Sequence, residues 1–477
     1  MADNPPLPAG FVARMEHLLG AEYAAFGECF HQSPEQGVRT NTLKINPQGL
    51  AKMAELILEP VPWCPAGFRM ASQPGGNEIT PGKHPLHAAG LYYLQDPSAM
   101  AAAEILAPKP GEIVLDLAAA PGGKTSQLAA LMENQGLLVA NEIHPRRVWD
   151  LAENLERCGI TNAAITNETP QRLAAYFGPF FDRVLVDAPC SGEGMFRKSP
   201  EARRAWSLEL VHSCASRQVA ILRSAAQMVR PDGHLVYSTC TFAPEENESV
   251  LARFLNEQLP DGMKFEVVTI QHQAGFAQAR PDWSARESTT EMHLERAIRL
   301  WPQRGAAEGH FIGLLKRLDN PKPTQLDPYP TRLAEPTRRL SQQFFKDTLY
   351  GDLPLERLAL QGSYLYQIPV GLPRLEKLKV IHPGWWVGIV RKGRIEPSHA
   401  LALGLKTKQA RQITAFPLES QQINSYLHGE SLPDPGPQGW TLVAIQDRST
   451  GAEFPLGWSK RSQGVLKNFY PRGLRWL

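Results

Sequence analysis

The chain is expected to form an α/β protein built on a doubly wound, mostly parallel sheet, and three observations predict it. From about residue 84, short apolar runs alternate with helical patterns, as in strand–helix–strand units. Two of those runs end in loops rich in Gly and Pro that begin with an aspartate, where open sheets of this kind bind ligands. With 477 residues at 43% hydrophobic, the chain can bury a large core and has room for several domains.

Residues 1–83 read as a small α+β domain. Phe11–Leu19 has apolar residues at helical spacing, and Val38–Ile45 alternates like a strand. On its pattern alone that strand lies at an edge, with Arg39 and Lys44 in solvent. Residues 84–318 form the main domain. Its strands are expected at Ile113–Leu117, Leu137–Asn141, Ala163–Thr166, Arg183–Asp187 and His234–Ser238, with helices at about Thr125–Glu133, Arg146–Cys158 and Ser213–Val229. Met228–Gly233 is a helix stop and turn, and Phe265–Ile270 and His310–Leu315 are further strand candidates. Prolines 321, 323, 328, 330 and 336 open a linker and intermediate domain over 319–383. Residues 384–477 turn to β-like runs, Trp385–Val390 and Trp440–Ile445 among them. From Pro455 to Leu477 there are five basic residues, no acid and interleaved aromatics, which suits a nucleic-acid surface or an ordinary small β-domain.

Fifty basic residues against 48 acidic leave any affinity for nucleic acid to local patches. No apolar run reaches the length of a membrane span, and Met1–Pro6 lacks the basic and apolar regions of a signal peptide, so a soluble cytoplasmic protein is expected. Six cysteines with no Cys-x-x-Cys pair argue against a structural zinc and against a disulfide scaffold. No metal site is expected, and a monomer is the default.

Asp116-Leu-Ala118-Ala119-Ala120-Pro121-Gly122-Gly123-Lys124-Thr125 follows one strand and opens a helix. Small residues let the backbone approach a ligand, and a helix start offers free N–H groups to a nucleotide phosphate or to the carboxylate of S-adenosylmethionine. A P-loop is disfavoured, because Ala118 stands where that motif needs glycine. Glu142, at the end of the second strand, is placed to accept hydrogen bonds from ribose hydroxyls. Asp187-Ala-Pro-Cys190-Ser-Gly leaves a third strand. Ser238-Thr-Cys240-Thr leaves a fourth, before Pro244-Glu-Glu-Asn-Glu248. Two cysteines at neighbouring strand tips point to thiol chemistry, and a cleft beside a helix N-terminus would favour thiolate.

These three motifs in this order resemble the Sun/nucleolar-protein family of RNA cytosine-C5 methyltransferases. Val38–Leu43 and Tyr93–Ser98 are similar to upstream elements of that family, so the resemblance covers residues 1–318. The C-terminal third resembles the intermediate and PUA-like RNA-binding domains of its bacterial small-subunit branch. The resemblance implies a Rossmann-like S-adenosylmethionine-dependent methyltransferase making 5-methylcytosine in 16S rRNA, within the 30S subunit. It implies that Cys240 adds to cytosine C6, that Asp187 holds the base and contacts the cofactor, and that Cys190 assists release. It places the cofactor's methionine end on Ala118–Lys124 and its ribose on Glu142. The family has an aspartate near the adenine, and Thr169 occupies that position, with Asn167 and Glu168 as possible substitutes after a shift. A tRNA-directed member of the family and a non-catalytic RNA-binding assembly factor are the alternative readings.

Overall fold

The computed structural model describes residues 5–53, 58–70, 80–257, 259, 262–284, 292–351 and 353–476. Met1–Asn4 of the N-terminal reading and Leu477 of the basic tail lie outside them.

A ten-stranded sheet organises the molecule. Its order runs Phe276–Gln278, Ile298–Leu300, His310–Arg317, Val229–Thr239, Phe181–Asp187, Ile113–Asp116, Leu137–Asn141, Ala163–Thr166 and Val380–His382, with Phe265–Val267 added beside His310–Arg317. The five strands from Val229–Thr239 to Ala163–Thr166 are parallel. Helices Gly123–Leu131, Arg147–Cys158, Pro170–Phe177 and Leu208–Met228 lie between them in the chain. Because both faces are covered, the strands read as continuous apolar runs. Val184 and Val186 enter one core while Leu185 enters the other, all fully buried. The chain lays down three strands outward from Ile113–Asp116, then returns to place Phe181–Asp187 on the opposite side of that first strand. Its topological switch point therefore lies between the tips at Asp116 and Asp187, where doubly wound sheets bind ligands.

The expected strands and helices appear within a few residues of their expected limits. Helix Leu208–Met228 stops where expected. The turn that follows is absorbed into a register shift against Phe181–Asp187, with Asp232 in the left-handed region at φ 57°.

Arg39 overturns the edge-strand reading. Gly37–Thr40 is an interior strand, between Cys64–Met70 and Tyr92–Leu94, and Arg39 is 2% exposed. Its guanidinium donates to Gln95 Oε1 at 2.6 Å and to Ser126 Oγ at 2.7 Å, so it ties the N-terminal sheet to the first core helix. Lys44 lies past the strand, donating to the carbonyls of Ala89 and Arg157 at 2.7 and 3.1 Å. Alternation alone does not reveal this, because a buried arginine whose guanidinium finds acceptors leaves the same pattern as a solvated one.

The first sheet reaches Tyr92–Leu94, past a boundary at residue 84. The Pro-rich linker leads to helix Glu335–Thr348 and to a sheet of Leu358–Gln361, Tyr364–Gln367, Trp385–Arg391 and Arg394–Pro397. A boundary at residue 384 runs through that sheet, since Trp385 pairs with Gln367 and Ile389 with Tyr364. The last sheet holds Ile413–Pro417, Leu432–Pro433, Gly439–Gln446, Glu453–Ser462 and Val465–Asn468. Trp458 and Tyr470 of the basic, aromatic tail are buried there, and Arg461 is spent on Asp434, while Lys467, Arg472 and Phe469 remain at the surface. Among the described residues, no helix is long and apolar enough to cross a membrane.

Candidate active site

The loops after Asp116 and Asp187 open on one cavity of about 810 Å³, within the usual size of small-molecule sites. Gly122 caps helix Gly123–Leu131 from the left-handed region at φ 110°, a conformation that favours glycine. A Cβ on Gly194 would lie 2.9 Å from the carbonyl oxygen of Cys240, so this glycine lets the two cysteine-bearing loops close on each other. The amide N–H of Gly194 donates to that same carbonyl at 2.9 Å.

Cys190 and Cys240 meet at the cavity wall with Sγ atoms 3.3 Å apart. Both are partly exposed, whereas Cys29, Cys64, Cys158 and Cys214 are buried. Around them the loops are braced by two buried acids. Glu193 accepts from Thr241 Oγ1 and the Phe242 amide, each at 2.9 Å. Glu246 accepts from the Ser191 amide at 3.0 Å and from Gln218 at 2.8 Å, and burial pushes it up to about 7. The hydrogen bond shared with Cys240, then burial, raises the Cys190 thiol well above its ordinary value. A helix N-terminus does not sit beside Cys240, since the following helix starts only at Glu248. The expectation of a thiolate favoured at both positions is therefore corrected for Cys190, which rests as the thiol.

Asp187 faces the pair. Its Oδ2 accepts from Lys124 Nζ at 2.7 Å and its Oδ1 from Ser238 Oγ at 2.9 Å. Burial would raise this carboxyl, but Lys124 and the hydrogen bonds outweigh it and hold Asp187 below the usual range. Asp116 behaves in the opposite way. Burial pushes it up to about 7, outweighing the hydrogen bond that Thr125 Oγ1 donates at 2.7 Å. Two aspartates at adjacent strand tips thus hold different charge states near neutrality.

Of the expected cofactor residues, Ala118, Ala120, Glu142 and Asp187 line the cavity. Ala119, Pro121, Gly122 and Gly123 shape the loop behind it, and Lys124 reaches the cavity's edge through Asp187. Ala119 is held by a 2.8 Å bond from its amide to the Asn141 carbonyl.

Family models match almost the whole chain in sequence. "16S rRNA methyltransferase RsmB/F" covers residues 103–316, the N-terminal domain of 16S rRNA methyltransferase RsmF 7–97, the RsmF first C-terminal domain 343–405, and the methyltransferase RsmF PUA domain 414–476. The ribosomal RNA small subunit methyltransferase F of Vibrio cholerae is 33% identical, over 99% of this chain and 98% of its own. The protein of that name from Pectobacterium atrosepticum is 31% identical, over 98% and 96%. The chain belongs to the RsmF family of 16S rRNA methyltransferases. A solved methyltransferase homolog protein from Pyrococcus horikoshii is similar in structure, with a TM-score of 0.55 and 31% identity over 65% of this chain and 94% of that one.

Within this RsmF-family fold, Thr169 does not line the cavity. Its Oγ accepts from the Arg172 amide at 3.3 Å and caps helix Pro170–Phe177. Its neighbours are no freer. Asn167 donates to the carbonyls of Glu142 and Ile143 at 2.6 and 3.0 Å and accepts from Lys379 Nζ at 2.6 Å. Glu168 accepts from the Lys379 amide at 2.7 Å and pairs with Arg172 at 2.8 Å. Thr169, which aligns with the family's adenine-contacting aspartate, is thus engaged at the helix start, as a Thr before Pro commonly is.

Sequence reasoning missed Ile143, Arg147, Pro170, Gln171, Arg217 and Ile221, all of which line the cavity. Ile143 had a legible signal, an aliphatic residue directly after the strand-tip acid, and it is 58% exposed. Arg147 had none. Its guanidinium donates to the Ala120 carbonyl at 2.7 Å and lies 3.8 Å from Glu142, clasping the two loops that flank the first and second strands.

Proposed function

We propose that the chain methylates C5 of a cytosine in 16S rRNA, through a covalent bond between Cys240 Sγ and C6 of the base. The observation that carries this reading is the Cys190–Cys240 pair, 3.3 Å apart beside Asp187 in the switch-point cavity. Cytosine C5 is a weak nucleophile, so a thiolate adding at C6 is needed to turn the C5–C6 bond into an enamine. As Cys240 adds, its thiol proton passes to N3, and the ionised Asp187 carboxylate, ordered by Lys124 and Ser238, accepts the hydrogen bond of that N3–H. S-adenosylmethionine, when bound, supplies the methyl group, and the residues present fit it. Glu142 offers acceptors at a strand tip, Ile143 an apolar surface, and the loop Ala118–Gly123 small residues that let a ligand come close to its backbone beside Asp187.

After methyl transfer a base takes the C5 proton, the C5–H electrons form the C5–C6 double bond, the C6–S bond breaks with its electrons returning to Cys240, and the N3 proton goes back to the Cys240 sulfur. Cys190 lies in contact with Cys240 and is the base: it first gives its own thiol proton to solvent, and its thiolate then takes the C5 proton and becomes a thiol again.

The test is adduct trapping. Cys190→Ala protein is incubated with S-adenosylmethionine and either 30S subunits or bulk tRNA, then run on a denaturing gel. A shifted band with 30S subunits, absent in Cys190→Ala/Cys240→Ser, is expected. A band that survives loss of Cys240 sinks the nucleophile assignment, and a band with tRNA alone moves the substrate to the tRNA branch.

A further inference from the structure

His310 is a buried titratable group with no part in the steps above. It begins strand His310–Arg317, is 7% exposed, and lies one residue beyond the pair that Phe311 makes with Thr239. Leu185, Val236 and Ile312 enter one core, while Val186, Tyr237 and Phe311 enter the other. Alternation along each strand therefore puts Asp187, Ser238 and His310 on the face of the first three. Asp187 pairs with Ser238 and Ser238 with Ile312, so all three sit at one end of neighbouring strands. Lys124 comes from helix Gly123–Leu131, whose Leu128 and Ala129 pack on that same face.

The hydrogen bonds decide which ring nitrogen of His310 carries its proton. Burial would raise Asp96, but Lys198 Nζ at 2.7 Å and the other hydrogen bonds outweigh it, so Asp96 is an ionised acceptor. The Ser98 hydroxyl donates its proton to Asp96. Ser98 Oγ, 2.9 Å from His310 Nδ1, is thereby left as an acceptor, and Nδ1 carries the hydrogen. Burial, then the charge of Lys124, lowers His310 to about 4, so at neutral pH the ring is uncharged and Nε2 holds a free lone pair. That atom is buried, and among the described residues nothing donates to it. A buried acceptor without a donor is costly. Lys124 has the opposite deficit. Its ammonium carries three N–H groups. Among the described residues it uses one, on Asp187 Oδ2 at 2.7 Å, and its side chain is 12% exposed. Lys124 and Asp187 are also the charged groups that act most strongly on the His310 ring.

We propose that His310 is a positioning residue for methyl transfer: its Nε2 takes a hydrogen bond from the Lys124 ammonium when the substrate base occupies Asp187. This rests on the reading of Asp187 as the group that meets the base. An N3–H donated to Asp187 draws on the charge that holds Lys124, and a lysine with no second acceptor would swing toward water. The neutral imidazole supplies that acceptor without adding a charge beside the ion pair.

The experiment measures single-turnover methyl transfer by the full-length protein on 30S subunits at saturating S-adenosylmethionine. An asparagine amide replaces Nδ1 at Ser98, whereas a glutamine carbonyl reaches the place of Nε2. His310→Gln should therefore keep most of the wild-type rate, and His310→Asn should lose about tenfold. In His310→Asn the acidic limb of the pH–rate profile should also move to higher pH, because a loosened Lys124 holds Asp187 less low. In a Lys124→Met background His310→Asn should lower the rate no further. An S-adenosylmethionine affinity near wild type in each variant shows that it is folded. Rescue by Asn and not by Gln would make His310 a brace for the Ser98 turn and overturn the proposal. A further tenfold loss in the double variant overturns it too, as does a wild-type rate and pH profile in His310→Asn, while the reading of Asp187 stands in each case. If Asp187→Asn itself keeps the wild-type rate, that reading fails and the role of His310 goes with it.

Discussion

Two strand tips on the same edge of the sheet illustrate opposite uses of polar side chains. At Phe181–Asp187 and its neighbour Val229–Thr239, the loops end in Asp187, Cys190 and Cys240, which face the cavity and keep their reactive atoms partly exposed. At Ala163–Thr166 the following residues, Asn167, Glu168 and Thr169, are equally polar, yet they are turned to structure. They hold Lys379 of the C-terminal region, the backbone of Glu142 and Ile143, and a helix start. The difference follows from what covers each tip. Val380–His382 pairs along the outer edge of Ala163–Thr166 and brings Lys379 onto it. Among the described residues nothing comparable crosses the switch point, where the sheet's own topology leaves a crevice. Polar residue type at a strand tip is therefore a poor guide to function until its coverage is known.

The largest effect is expected from removing the nucleophile at the open tip. Cys240→Ser should lower the rate of methyl transfer by several orders of magnitude, with S-adenosylmethionine affinity close to wild type, measured by radiolabelled methyl incorporation and by calorimetry. Activity within tenfold of wild type would remove Cys240 from the chemistry and leave the contrast between the tips without content. Next comes Lys124→Met, which strips Asp187 of its 2.7 Å partner. Single-turnover rates on 30S subunits should fall on the order of 10²-fold. Because Lys124 holds the carboxyl low, the acidic limb of the pH–rate profile should also move to higher pH.

Much of this arrangement was legible before any coordinates. The parallel strands, the switch-point loops and the facing of Cys190 and Cys240 all follow from apolar runs ending in short Gly/Pro loops, which depend on neighbours close in sequence. Arg39 and Lys379 were not legible, for a common reason. Each is decided by a partner far along the chain, Arg39 by Ser126 and Lys379 by Asn167 and Glu168, whereas Thr169 is engaged locally by the Arg172 amide of its own helix start. The sheet of Leu358–Pro397 was cut at residue 384 by a reading based on composition, because strand pairing between Gln367 and Trp385 leaves no mark on composition.

A pH measurement separates the two aspartates at the open tips. Asp116 has its folded pKa pushed up from 3.8 to about 7, chiefly by burial. A carboxyl raised on folding contributes stability that is fully present below its unfolded pKa and is lost as pH climbs through the folded value. Unfolding free energies from urea titrations should therefore decline between about pH 4 and 7 by an amount on the order of 1–3 kcal/mol that Asp116→Asn does not show. The test is the difference between the two proteins, since Glu246 and Glu156 shift in the same direction in both. Equal slopes would mean that Asp116 ionises normally and that the two tips do not differ in charge state.

The smallest effect tests the covered tip. Asn167→Ala removes two donors to the carbonyls of Glu142 and Ile143 and the acceptor for Lys379 Nζ. Each lost bond of this kind is worth about 1 kcal/mol in stability, so the thermal midpoint should fall by a few degrees. If these bonds also keep Glu142 and Ile143 aimed into the cavity, S-adenosylmethionine binding should weaken about three- to tenfold. The rate with saturating cofactor should stay near wild type, because no reacting atom touches Asn167. A Lys379→Ala variant separates the two roles. It removes the Nζ bond to Asn167 Oδ1 but leaves the Asn167 amide on Glu142 and Ile143 and the backbone contacts of residue 379, so it should lower stability slightly while sparing cofactor affinity. Equal losses of affinity in both variants would mean that the C-terminal region itself shapes the cofactor site, and the covered tip would then be functional through its cover.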